Sequence, residues 1–351
     1  MNARPGIGAA DHGARGLRVA LQVGFALLLS VGSAAAQTKT GTTLGQFLMI
    51  EPNARVAGMG NAGVSLYDGL ESVYYNTAAI GSLAHPEVQF THSAWLAGIT
   101  YDHIAGAMPI SNWGTVLATV TALNSGDIDV RTVEQPLGTG ERYRASDIGI
   151  GVGFGRQISS RFAVGAQLTW LQETIWNSSA STAVFDIGTL YRTSPNGLHL
   201  GASLSHYGTS AAFSGADLRF VYDNDPTRYG DNGALPGVRF TDAFAVPVLF
   251  RVGVGWPIKL AADQRLRLAL DAFHPSDNTE SMSAGAEWMY KDLLALRTGY
   301  QNLFQQDSEV GLTLGAGVRA RLNEYRFKVD YAWADQGRLE STQRLTLGVM
   351  F

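Results

Sequence analysis

Residues able to do chemistry are thinly spread along this chain. Serine neighbours histidine in His92-Ser93 and Ser205-His206, with His103 and His199 elsewhere. A serine activated by a histidine base would be a hydrolytic nucleophile. None of the four lies in a recognisable nucleophile context, so each reads as an interfacial or hydrogen-bonded strand residue. Asp127-Ile128-Asp129 and Asp223-Asn224-Asp225 pair carboxylates without the spacing of a full oxygen cage, and they read as solvated turns. Gly149, Gly151, Gly153 and Gly155 alternate with apolar residues and open no helix, so they do not cradle a phosphate. Asn177-Ser178-Ser179 matches a glycosylation sequon, a three-residue pattern that carries little weight by itself. Cysteine is absent, which removes thiolate metal sites and disulfides. The reading is a non-enzymatic protein with no catalytic residue, metal or cofactor.

A second set of charges lies inside alternating segments. Arg319, Arg321, Arg326, Lys328 and Asp330 flank one short turn, and Arg251, Arg267 and Asp271 belong to another stretch. They read as ion pairs that hold an internal segment in place, with an anionic-ligand guide as the functional alternative.

The elements that must position these groups are strands. Ile148, Ile150, Val152 and Phe154 share one face, with glycines on the other. Val246, Val248, Phe250, Val252, Val254 and Trp256 repeat the pattern, as do Val310, Leu312, Leu314, Ala316 and Val318, and then Tyr325, Phe327, Val329, Tyr331 and Trp333. Side chains alternate across a strand, so each segment has one greasy face and one polar or glycine face. An apolar outer face with aromatics near the ends is the signature of a transmembrane barrel. Outside the N-terminal stretch no apolar run reaches the ~18 residues a membrane helix needs.

About fourteen such segments start near residues 87, 99, 114, 143, 161, 181, 197, 246, 264, 280, 293, 309, 324 and 341. The exits of even-numbered segments are short, as at Ser111-Asn112-Trp113, Ile158-Ser159-Ser160, Ser194-Pro195-Asn196, Lys259 to Asp263, Tyr290-Lys291-Asp292 and Leu322-Asn323. Odd-numbered segments exit into longer stretches, including about 125–142 and 208–245. Outer-membrane barrels have short periplasmic turns and longer external loops. The expected fold is therefore all-β, a transmembrane antiparallel barrel of about fourteen strands over residues 86–351.

Both ends of the chain suit that compartment. Arg15 and Arg18 precede the apolar run Val19 to Val31, and Gly32-Ser33-Ala34-Ala35-Ala36 resembles a cleavage site, so residues 1–36 read as a removable export signal. Without Arg4, Arg15, Arg18 and Asp11, the 26 basic and 30 acidic residues become 23 and 29, a net charge of −6. Such mild acidity gives no electrostatic case for nucleic acid. At the other end Leu345, Leu347, Val349 and Phe351 share a face, and terminal Phe351 is expected to act as the assembly signal for insertion into the outer membrane of a Gram-negative-type bacterium.

Residues 37–85 break the strand pattern. Here Asn76 is expected to cap a short helix over Thr77 to Ile80 ending at Gly81. So small-residue a segment can fold inside a lumen, where the inward glycines leave room for it.

The run Arg55-Val-Ala-Gly58-Met59-Gly60-Asn-Ala-Gly-Val-Ser-Leu-Tyr-Asp68, followed by Val73-Tyr-Tyr-Asn76-Thr-Ala78, resembles the amino-terminal motif of the PorV/PorQ family. The ending Asp330-Tyr331-Ala332-Trp333, Gln343 to Gly348 and Phe351 is similar to that family's close. One departure is Asn76-Thr77-Ala78, where the family usually has Asn-Pro-Ala. The resemblance implies a FadL-like fourteen-strand barrel with an N-terminal plug, taking part in type IX protein secretion. It implies partners among secreted cargo C-terminal domains or surface-attachment proteins, besides outer-membrane lipid. The external segment 208–245 supplies a candidate partner-binding surface in Phe213, Phe220, Tyr222, Arg228, Tyr229, Arg239 and Phe240. The bland reading of that segment is a cover over the barrel mouth. The alternative function is a FadL-like channel for hydrophobic small molecules, to which the fold is equally suited.

Overall fold

Fourteen long antiparallel strands close on themselves in the computed structural model, which describes residues 41–351 apart from 195, 229, 231–232 and 306–307. The expected export signal and Tyr229 lie outside the described residues. The barrel strands are β1 (Glu87–Ala94), β2 (Thr100–Ile110), β3 (Gly114–Asn124), β4 (Ala145–Ser159), β5 (Phe162–Ile175), β6 (Ser178–Arg192) and β7 (His199–Gly208). They continue as β8 (Leu249–Ala261), β9 (Gln264–Pro275), β10 (Ser281–Tyr290), β11 (Leu294–Leu303), β12 (Leu312–Leu322), β13 (Tyr325–Asp335) and β14 (Ser341–Met350). Each pairs with its sequence neighbours, and β14 closes the ring on β1 with Val88 opposite Val349 and Phe90 opposite Leu347. A closed ring leaves no unpaired edge, which is what a bilayer demands of a sheet.

The period-two pattern decides which side meets lipid. Ile148, Ile150, Val152 and Phe154 on β4, Phe250, Val252, Val254 and Trp256 on β8, and Leu345 and Leu347 on β14 all face out. Two expectations need correction here. Val246 is buried, not outward, because β8 begins only at Leu249 and Val246 turns in against Leu44, Phe47 and Leu171. Val310 likewise precedes β12.

The even-numbered strands do exit into short connections, such as 160–161, 262–263 and 323–324. The opposite end is less uniform than the sequence suggests. Residues 209–248 and 125–144 are long, but β5 and β6 join through Trp176 and Asn177 alone, with Trp176 at φ 54°. By the short-turn rule this opposite end is external.

The segment ahead of β1 fills the lumen. Asn53 caps a one-turn helix, α1 (Ala54–Ala57), by accepting from the Val56 nitrogen at 2.9 Å. Asn76 caps a 3-10 helix over Thr77–Ser82 by accepting from Ala78 at 3.0 Å, two residues longer than expected because Leu83 donates back to Ile80. Around this plug the lumen keeps an external cavity of about 230 Å³, two periplasmic ones of about 600 and 630 Å³, and a small one of about 50 Å³ between plug and wall.

Candidate functional site

The glycines of the inner wall lie where the plug backbone approaches closest. A side chain at Gly165 or Gly188 would fall on the Thr77 carbonyl or the Asn76 carboxamide, and one at Gly285 on the Met59 carbonyl. Gly58 meets Gly315 back to back, a Cβ on Gly58 lying 2.9 Å from the Gly315 Cα. Gly60 sits at φ 64° with the Tyr300 nitrogen 2.7 Å from where a Cβ would be, so both its conformation and its space require glycine. Met59 between them is fully buried. Thr77, where the resembled family has proline, donates its hydroxyl to the Gly165 carbonyl at 3.0 Å, a tie that proline could not make.

Along β9 to β13 the plug is held by charge as well. Arg55 is 1% exposed and binds Glu287 of β10 through two nitrogens, each at 2.9 Å. Its Nη1 donates to the Asp68 carbonyl at 3.0 Å, and Asp68 also pairs with Arg267 at 3.1 Å. Glu287 further accepts from Arg267 at 3.0 Å and Arg297 at 2.8 Å, and Arg297 reaches Asp330 at 2.6 Å. Lys328 bridges Glu71 of the plug, at 2.9 Å, and Glu87 of β1. Burial acts to raise the Glu71 carboxyl, but Lys328 and then Arg55 beside it outweigh that and hold it down at about 2. Asp271 accepts from the Val64 nitrogen at 2.8 Å, and Arg251 donates to the Tyr74 carbonyl at 3.3 Å.

Of the inward charges singled out in the sequence, Lys328, Asp330, Arg267, Asp271 and Arg251 hold the plug or its network. Arg319, Arg321 and Arg326 stand at the periplasmic rim, and among the described residues none of the three bonds to the plug. The sequence reading missed Glu71, Glu87, Glu287 and Arg297, whose partners are far away along the chain.

The external segment splits in two. Phe213 packs with Phe244 against the Leu44 and Phe47 cluster over the barrel mouth, so it is part of the cover and apart from the projecting hairpin. A hairpin of Arg219–Tyr222 with Leu235–Val238 stands clear, carrying Phe220 and Tyr222 with Arg239 over the Phe220 ring at 5.9 Å. Phe240 is 92% exposed, and Arg228 lies on the exposed surface nearby. At the base of the segment, Asp217 accepts from the Asn177 nitrogen at 2.8 Å and from its side chain at 3.0 Å, which pins the loop to the β5–β6 turn and holds the Asp217 carboxyl below its ordinary range. The result is a cleft of about 810 Å³ between this segment and residues 125–144. Ile128, Val130, Tyr143, Trp176, Phe213 and Leu218 line it, with the Tyr143 and Trp176 rings 5.9 Å apart. Asp127 and Asp129, read above as a solvated turn, pair with Arg144 and Arg142.

The histidines take separate structural places. His92 pairs with Asp102 on the outer face, His103 with Thr121 inside, and the Ser205 hydroxyl accepts from Arg251 instead of a histidine. At the chain end, Phe351 stacks edge-on against Tyr325 at 5.6 Å, an aromatic pair at the periplasmic end of the wall.

No family model matches this chain, and no curated protein matches it. Among solved structures it is similar to the Pseudomonas putida toluene transporter TodX, at 13% identity and TM-score 0.52, over 86% of this chain and 98% of that one. The fold is that of the FadL-type outer-membrane barrels. A Pseudomonas aeruginosa FadL homologue matches at 12% identity and TM-score 0.50, over 86% of this chain and 98% of its own. The Ralstonia pickettii toluene transporter TbuX matches at 11% and 0.52, over 86% and 97%. At these identities the likeness is one of fold.

Proposed function

We propose that this FadL-type barrel is a non-enzymatic outer-membrane channel that takes up hydrophobic small molecules, captured in the external cleft between residues 125–144 and 209–248. The observation that carries the reading is the cleft itself. Its volume suits a small molecule, and its lining is mostly apolar and aromatic, with a few polar groups at the edge. Named transporters of toluene with the same fold support the class of ligand. The test uses the mature protein in lipid nanodiscs with toluene as probe. Trp176→Asp places a charge in the cleft at a turn that faces water, so the barrel stays folded while binding falls by at least about tenfold. Unchanged toluene binding in the folded variant, or none in the wild type, would discard the reading.

A second reading, a component of type IX secretion of PorV/PorQ type, is favoured by the hairpin that projects Phe220, Tyr222 and Phe240 into solvent, as a protein-binding surface would. Replacing residues 219–240 with a short Gly/Ser linker leaves Phe213 and the mouth cover intact. Loss of co-purifying secreted proteins with toluene binding preserved would favour this second role.

A further inference from the structure

Among the described residues, five cations at the periplasmic rim make no hydrogen bond or ion pair with the plug. Arg265, Lys291, Arg319, Arg321 and Arg326 line one cavity of about 630 Å³. Arg55 and Lys328 reach its floor, but the buried acids Glu287, Glu71 and Glu87 already answer them. The acidic groups on the cavity wall are Asp292, paired with Arg265, and Asp68, shared between Arg55 and Arg267. Positive charge is therefore in surplus. Arg319 shows it most directly. Among the described residues its Nε is buried without a hydrogen-bond partner, and its Nη1 donates to the weak acceptor Met289 Sδ at 3.7 Å. Guanidinium groups left unanswered in a cavity suit a multiply charged oxyanion.

The rim also has a greasy side. Phe327, Ala320 and Met350 border the same cavity, and the exposed Leu322, Tyr325 and Phe351 mark where the apolar outer band ends. The cations thus sit level with the head groups of the inner leaflet, where basic residues attract anionic lipid.

We propose that this cavity is a binding site for a phosphate-bearing anion at the boundary of lipid and periplasm. The site is independent of the external cleft and of any molecule captured there. Free phosphate and the head group of an anionic phospholipid share the required chemistry.

The mature protein is incubated separately with phosphatidylglycerol vesicles, phosphatidylethanolamine vesicles and inorganic phosphate. Retained lipid is read by native mass spectrometry and phosphate by thermal shift. Wild type should retain phosphatidylglycerol over phosphatidylethanolamine, or be stabilised by phosphate. The first result assigns a head group and the second a free anion. The double variant Arg319→Gln/Arg326→Gln should bind at least about tenfold more weakly, whereas Arg161→Gln on the opposite turn should not. If the double variant lacks the heat-modifiable folded band, Lys291→Gln/Arg321→Gln, which changes two exposed residues, replaces it. Wild type and folded variant behaving alike in both arms would overturn the proposal.

Discussion

One plug is held by two walls in different ways. Against β3 to β6 it fits by shape, with Ile80, Ala78 and Ala79 packed on Leu117, Ala163 and Leu190 and with wall glycines yielding to its backbone. Against β9 to β13 the plug meets glycines too, Gly285, Gly299 and Gly315, and is held besides by buried charge, through Arg55, Glu71, Glu287, Arg297, Asp330 and Lys328. The two differ in how they fail. Steric fit is lost by adding atoms, whereas a buried ion network is lost by removing one partner, which strands the rest without water. The charged wall sets register more than it adds net stability, because desolvation offsets much of the attraction. The glycine wall sets how closely the plug can approach.

The largest effect should come from the charged wall. Arg55→Ala leaves Glu287 and Glu71 buried beside their remaining cations, and docking of the plug should weaken by about 3–5 kcal/mol. Hydrogen exchange over residues 53–83 reads this directly, and slow exchange in the variant would show that the charges are dispensable. Next comes the shape-fitted wall. Gly165→Val drives a side chain into the Thr77 carbonyl and should cost about 1–3 kcal/mol, with the barrel strands still protected. If exchange rises only near Thr77 and not around Arg55, the two walls act independently.

Acid gives a milder probe of the charged wall. Lys328 and Arg55 overcome burial and hold the docked Glu71 carboxyl well below the 4.5 of a free one. A group with a depressed folded value stabilises docking above the free value and loses that contribution as pH falls toward the docked one. Exchange of the plug should therefore begin to rise below about pH 4.5 and steepen toward about 2, and Glu71→Gln should flatten that rise. A wild-type profile with no change over this window would remove Glu71 from the account.

The shape-fitted wall was the more legible in the sequence, and for a local reason. Alternation of Ile148, Ile150, Val152 and Phe154 with glycine is visible within a few residues, and so is the Asn76 cap. Strand starts followed from the same period, to within about three residues at every strand. The charged wall was only half legible. Lys328 and Arg267 stood out as inward charges, but Arg55 meets Glu287 across 232 positions, and no local spacing encodes that. Nor did period two reveal where an apolar run leaves the wall, as Val246 does to cover the plug, or that Phe213 serves the mouth while Phe240 faces water.

Both walls serve one claim, that the plug closes the lumen. The most direct test is ion conductance of the mature protein in planar bilayers, beside a form lacking residues 41–83. The account predicts an electrically quiet wild type and steady open-pore steps once the plug is removed. Equal conductance from both would contradict it.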